Sequence, residues 1–151
     1  MRPLALLLVL IPAVASAQDA ARADVSLVIP GFAEATTEVE TVRFSGDSVE
    51  VSGSLVYETN RPDQTVYVHV DGDLTGLELR VEPADARVRG MALSGSTGDA
   101  GSVSVRSAGS FPLVTNVTGA GVEMDVRYTV VAINPRAASR ARDVRIYYTI
   151  N

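Results

Sequence analysis

Val122-Glu123-Met124-Asp125-Val126-Arg127-Tyr128-Thr129-Val130-Val131-Ala132 is the longest alternating run in the chain. Val122, Met124, Val126, Tyr128, Val130 and Ala132 share one parity, and Glu123, Asp125 and Arg127 share the other. A period of two places these sets on opposite faces of a strand, one toward a core and one toward water. The closing stretch repeats the pattern, with Val144, Ile146, Tyr148 and Ile150 opposed by Arg145, Tyr147, Thr149 and Asn151.

Working back from these two strands, shorter runs of the same kind are separated by Gly, Pro, Asn, Asp and Ser. Val25, Leu27 and Ile29 alternate before Pro30-Gly31, and Val49, Val51, Leu55 and Tyr57 share a parity around Gly53. Val66, Val68 and Val70 alternate with Tyr67 and His69, and Leu77, Leu79 and Val81 with Glu78 and Arg80. Asp71-Gly72 between these last two predicts a hairpin. Val103 and Val105 mark a short strand after the Gly-rich stretch 95 to 101, which reads as a flexible loop. Helical signals are nearly absent: 33 to 39 is weakly compatible with helix and 135 to 142 with one turn, and neither has an apolar stripe. Short strands with regular turn signals predict an all-β, antiparallel, immunoglobulin-like Greek-key sandwich of about seven to nine strands.

The first seventeen residues read as a signal peptide. Arg2 supplies the positive start, Leu4 to Ile11 the apolar run, and Ala15-Ser16-Ala17 the small-residue cleavage pattern. The apolar run, broken by Pro12, falls short of the ~20 residues of a membrane-spanning helix. The expectation is one secreted domain over 18 to 151, placed in the periplasm, at the cell surface or outside the cell, with no transmembrane span after cleavage. That length can bury a core without staples.

The chain has no cysteine, which excludes disulfides, thiolate metal sites and cysteine nucleophiles. All thirteen basic residues are arginine. Without Arg2, twelve arginines face eighteen acidic residues, a balance of −6 that argues against nucleic acid as a partner. The polarity is uneven: residues 19 to 85 carry fourteen acids and four arginines, and residues 86 to 151 carry four acids and eight arginines.

The inventory for catalysis is thin. His69 is the sole histidine, sits on the outward parity of its strand, and has no nucleophile elbow nearby. Asp71-Gly72-Asp73 offers two acids on a loop, with Glu78 or Asp99 as conceivable further calcium ligands, but Leu74 and Gly76 break the spacing of an EF-hand loop. Asp-Gly turn chemistry explains these residues more simply. A pair of carboxylates for glycoside hydrolysis lacks an aromatic sugar platform in a chain without tryptophan. No cofactor is expected. Asn116-Val117-Thr118 matches the glycosylation sequon. Arg136, Arg140, Arg142 and Arg145 form the single basic cluster, a candidate polyanion-binding loop, with Asp143 offsetting it.

Three late segments, Phe111 to Val117, Val126 to Val130 and Val144 to Asn151, resemble the closing strands of exported bacterial pilin-like and spore-coat-protein-U-like domains. The chain lacks the cysteine pair common in usher-assembled pilins. The resemblance implies an immunoglobulin-like sandwich in a surface or extracellular structural protein with no active site.

The functional expectation is therefore a non-enzymatic secreted structural or adhesive protein of a bacterium, self-associating or joined to other envelope proteins. The alternative is a module binding an extracellular carbohydrate or polyanion through the arginine loop and exposed Tyr67 and Tyr147, and the distant alternative is a hydrolase. Val25, Leu27 and Ile29 are a candidate strand-exchange segment. Self-pairing within one subunit closes a shorter loop and is the simpler reading; pairing with another subunit's open sheet edge is the alternative.

Overall fold

The computed structural model describes residues 30–89, 95–134, 136–137 and 140–151. They form ten strands: β1 Ala33–Thr37, β2 Thr41–Phe44, β3 Ser48–Thr59, β4 Gln64–Asp71, β5 Leu77–Val88, β6 Asp99–Ala100, β7 Val103–Val105, β8 Gly109–Val117, β9 Ala120–Ala132 and β10 Arg142–Ile150. All pairings are antiparallel and build two five-stranded sheets, ordered β1-β3-β9-β5-β7 and β2-β10-β4-β8-β6. The all-β reading holds, and the arrangement is sandwich-like.

The two runs that announced the fold lie at the hearts of different sheets. β9 is paired on both sides by β3 and β5, and β10 by β2 and β4. Val122, Met124, Val126, Tyr128 and Val130 on β9, and Val144, Ile146, Tyr148 and Ile150 on β10, are all buried in one core. The expected parity is the observed one. The Tyr128 and Tyr148 hydroxyls meet across the core at 2.7 Å, so each phenol satisfies the other's polar tip inside an apolar layer.

Four local expectations are corrected. Val66 to Val70 and Leu77 to Val81 do not form a hairpin, because β4 belongs to the second sheet and β5 to the first. The intervening residues cross between sheets; Leu74 is buried beneath the crossing and its carbonyl accepts from Leu77 N–H at 2.8 Å. Both strands still aim their apolar sets into one core, which is why alternation alone could not separate the two arrangements. The Gly-rich stretch is not wholly loop, since β6 pairs with Val114 and Thr115 of β8 and Ser96 bridges to Thr118. Residues 33 to 37 form β1 rather than helix.

The strand count is the fourth correction, ten instead of seven to nine, and β1 and β2 account for much of it. They are one extended run that changes sheet at residues 38 to 40. Val39 sits over Gly53 of β3 at the crossing, and a Cβ at Gly53 would collide with the Val39 Cγ2 methyl. Glycine here makes room for the chain to leave one sheet and join the other.

Candidate functional site

The change of sheet leaves a seam. β10 pairs with β2 only from Arg142 to Arg145, and the Ile146 N–H adds a last bond to the Glu40 carbonyl at 2.8 Å. Antiparallel strands turn alternate residues' N–H and C=O groups to alternate neighbours, so Arg142, Val144 and Ile146 face β2. Tyr148 and Ile150 face the same way, where β2 no longer runs. On the opposite bank β1 bonds to β3 through its even residues, as Glu38 N–H to Ser54 and Asn60 N–H to Phe32 show. The backbone groups of Ala33, Ala35 and Thr37 therefore point away from β3. β1 lies alongside β10, but no ladder joins them.

A cavity of about 620 Å³ opens along this seam, between residues 35–37, Glu40 and Thr41 on one bank and residues 145–148 on the other. Beneath it the hydroxyl pair Tyr128–Tyr148 extends to Thr37, whose Oγ1 lies 3.5 Å from Tyr128 Oη. Burial raises the pKa of Tyr128 and pushes that of Tyr148 up further, so both stay neutral phenols that hold the seam together.

On the outer face of the second sheet, above the seam, Tyr147 and His69 are direct cross-strand partners. Their rings stack with centroids 4.6 Å apart and planes within 6°. His69 Nε2 lies 2.8 Å from Thr149 Oγ1, which fixes the imidazole in turn. His69 thus faces outward as expected, and its partners are an aromatic ring and a hydroxyl.

The four candidate arginines do not stay together. Arg136, Arg140 and Arg142 border a cavity of about 440 Å³ with Asn134, Thr75 and Gly76 at the end of the fold where β9 turns into β10. Arg145 lies apart, on the bank of the seam. Arg142, whose side chain is 14 % exposed, donates to the Thr75 carbonyl at 2.6 Å and sits 3.5 Å from the Asp73 carboxylate. It braces the crossing from β4 to β5. Asp73 is held below its ordinary pKa, chiefly by hydrogen bonding from Thr75, and among the described residues no group of three His, Cys, Asp or Glu side chains could hold a metal ion. Asn116 of the sequon is exposed with φ 60°, and its amide donates to Asp99 at 2.8 Å.

Val25, Leu27 and Ile29 lie outside the described residues, as do the first seventeen residues. Side chains just past the end of β3 hold the described residues that lead into β1. Asn60 accepts from Phe32 N–H at 2.8 Å and donates to the Pro30 carbonyl at 2.9 Å, while Arg61 donates to the Gly31 carbonyl at 3.0 Å. These bonds hold residues 30 to 32 in line with the end of β3.

One cluster was missed by sequence reasoning. Glu78 was expected on the solvent side of β5, yet it is only 5 % exposed, because Arg80 Nε at 2.7 Å and Arg106 Nη2 at 2.7 Å close over it. These hydrogen bonds, Arg80 first and then Arg106, hold its carboxyl well below the ordinary value of 4.5, at about 2. Folding therefore favours the charged form: the stabilisation is complete above about pH 4.5 and disappears as the pH falls toward about 2. Thermal melts across that window should fall more steeply for the wild type than for Glu78→Gln. Parallel curves would show that the clamp contributes nothing.

No protein-family model matches the chain, and searches of curated proteins and of solved structures return no match.

Proposed function

We propose that this chain is a non-enzymatic, exported structural or adhesive protein of a bacterial surface, with an immunoglobulin-like Greek-key sandwich, whose copies join by strand addition at the seam. In this reading Val25, Leu27 and Ile29 of one copy lie along the β10 edge of the next. The observation that carries the reading is the seam itself, where Tyr148 and Ile150 of β10 and Ala33 and Ala35 of β1 turn backbone donors and acceptors toward each other without a ladder. Unpaired edges are templates for an added strand, whose main-chain bonds supply affinity and whose alternate side chains supply fit. Three inward apolar residues at a period of two suit a seam lined by Ala35, Ile146 and Tyr148.

The entry clamp favours a neighbour over self-insertion. To fold back into its own seam, the chain would need a tight turn near Pro30-Gly31, but Asn60 and Arg61 hold those residues in line with β3. The cleavable leader and the likeness of the closing strands to pilin-like domains support the same reading.

Light scattering and electron microscopy on the chain from Gln18 test it. The expected result is concentration-dependent assembly that disappears when the chain starts at Pro30 and is blocked by a peptide spanning Asp24 to Pro30. A protein that stays monomeric at high concentration, or a shortened chain that assembles equally well, overturns it.

A further inference from the structure

We infer that the mouth of the seam carries a stacking site for a neutral pyranose glycan, built on the free ring face of Tyr147. Tyr147 is 53 % exposed, yet its ring is fixed on one side by His69, which Thr149 holds in turn. Because His69 stands on β4, the covered face of Tyr147 looks toward β4 and the open face looks the other way, over the cavity that Tyr147 lines. An aromatic side chain held in place but left uncovered has already lost the freedom that binding would otherwise remove. Its electron-rich face suits the polarised C–H groups on one side of a sugar ring.

The surroundings fit the hydroxyls of the same ligand and set its charge. Around the ring the cavity is lined by Thr36 and Thr41, by one cation, Arg145, and by one anion, Glu40. This set both donates and accepts, and its charges cancel, so an acidic polymer gains nothing from Arg145 that Glu40 does not oppose. On one side of Tyr147 the outer face carries charge, in Arg145 opposite Asp71 and in the Arg43–Asp143 ion pair, while the rows on and beyond Tyr147 are uncharged. The pairings place Tyr147, His69 and Ser110 in one row and Thr149, Tyr67 and Pro112 in the next. The outer face of the first sheet is built differently, laced by Arg87 with Asp125, Arg89 with Glu123 and Arg127 with Glu50. A two-row polar and aromatic strip beside the cavity offers room for neighbouring sugar units, so the ligand class is a neutral polysaccharide.

This site names what the adhesive part of the proposed function would hold, and it rests on that reading only in requiring the chain to work outside the cell. A strand added to β10 would lay its outward side chains over the same ring face, so glycan binding belongs to the unassembled surface.

Affinity electrophoresis of the chain from Gln18 in gels containing hydroxyethyl cellulose, galactomannan, xyloglucan or dextran, with alginate as the acidic comparison, tests the inference. At least one neutral polymer should retard the wild type, Tyr147→Ala should weaken that binding about tenfold, and Arg43→Ala on the same sheet should leave it unchanged. Light scattering on the same samples reads assembly separately, so a chain that assembles without binding sugar removes this site and leaves strand addition standing. Retardation by none of the neutral polymers, unchanged binding by Tyr147→Ala, or retardation by alginate alone that is lost in Arg140→Ala overturns the inference.

Discussion

Replacing Ile146 with alanine is expected to lower the unfolding free energy by about 2–5 kcal/mol, while replacing its neighbour Arg145 should change it by no more than about 0.5 kcal/mol. Ile146 is 1 % exposed at the middle of β10, the strand that β2 and β4 both pair with. Truncation removes the transfer free energy of three carbons and leaves a cavity that two paired neighbours prevent from collapsing. Against a total stability of about 5–15 kcal/mol, the loss is a large share of the whole. Arg145 points to the outer face, where its stem and charge are solvated. Urea denaturation of both variants checks the contrast, and comparable shifts in the two midpoints would mean the core parity has been assigned to the wrong face.

Gly98→Ala should be nearly as damaging, at about 2–4 kcal/mol, the combination of left-handed backbone strain and overpacking. Gly98 has φ +88°, a conformation that side-chain-bearing residues adopt at a cost. A Cβ there would lie 2.6 Å from the Thr115 carbonyl oxygen, 2.7 Å from a Val114 methyl and 2.8 Å from a Val117 methyl. None of these can yield freely: Thr115 pairs with Asp99 in the β6–β8 ladder, and Val114 and Val117 are fully buried. Gly101→Ala is the control, since a Cβ at Gly101 meets nothing within 4 Å. Thermal melts should separate the two variants clearly, and a Gly98→Ala protein as stable as Gly101→Ala would show that the β6 edge is not docked on β8.

The inward faces of β9 and β10 were legible because a period of two is a local property of the chain, readable within each run. Which strands would be neighbours was not. Val66 to Val70 and Leu77 to Val81 alternate as two strands of a hairpin would, and the difference between pairing and crossing lies in Leu74, whose burial shows only once both sheets are in place. The same limit hid the site. His69 and Tyr147 were each legible as outward residues, but their stacking depends on a register between β4 and β10 that neither strand encodes alone. Glu78 was misplaced because its cover comes from Arg106, 28 residues away. The four arginines looked like one cluster because they are close in sequence, yet Arg142 and Arg145 stand on opposite parities of β10, so Arg142 joins Arg136 and Arg140 of the preceding turn while Arg145 projects to the outer face.

The place of β10 between β2 and β4 also dictates an order of events as the protein forms. Phe44 waits for Arg142 and Thr41 for Arg145, and the Arg43–Asp143 ion pair spans a hundred residues of chain. Until that distant strand arrives, β2 has no partner in its sheet and one side of β4 stays open. Pairings of such separation are slow to find, because the entropy of closing the loop is lost before any contact rewards it. The second sheet is therefore completed only when β10, the last strand along the chain, takes its place between β2 and β4.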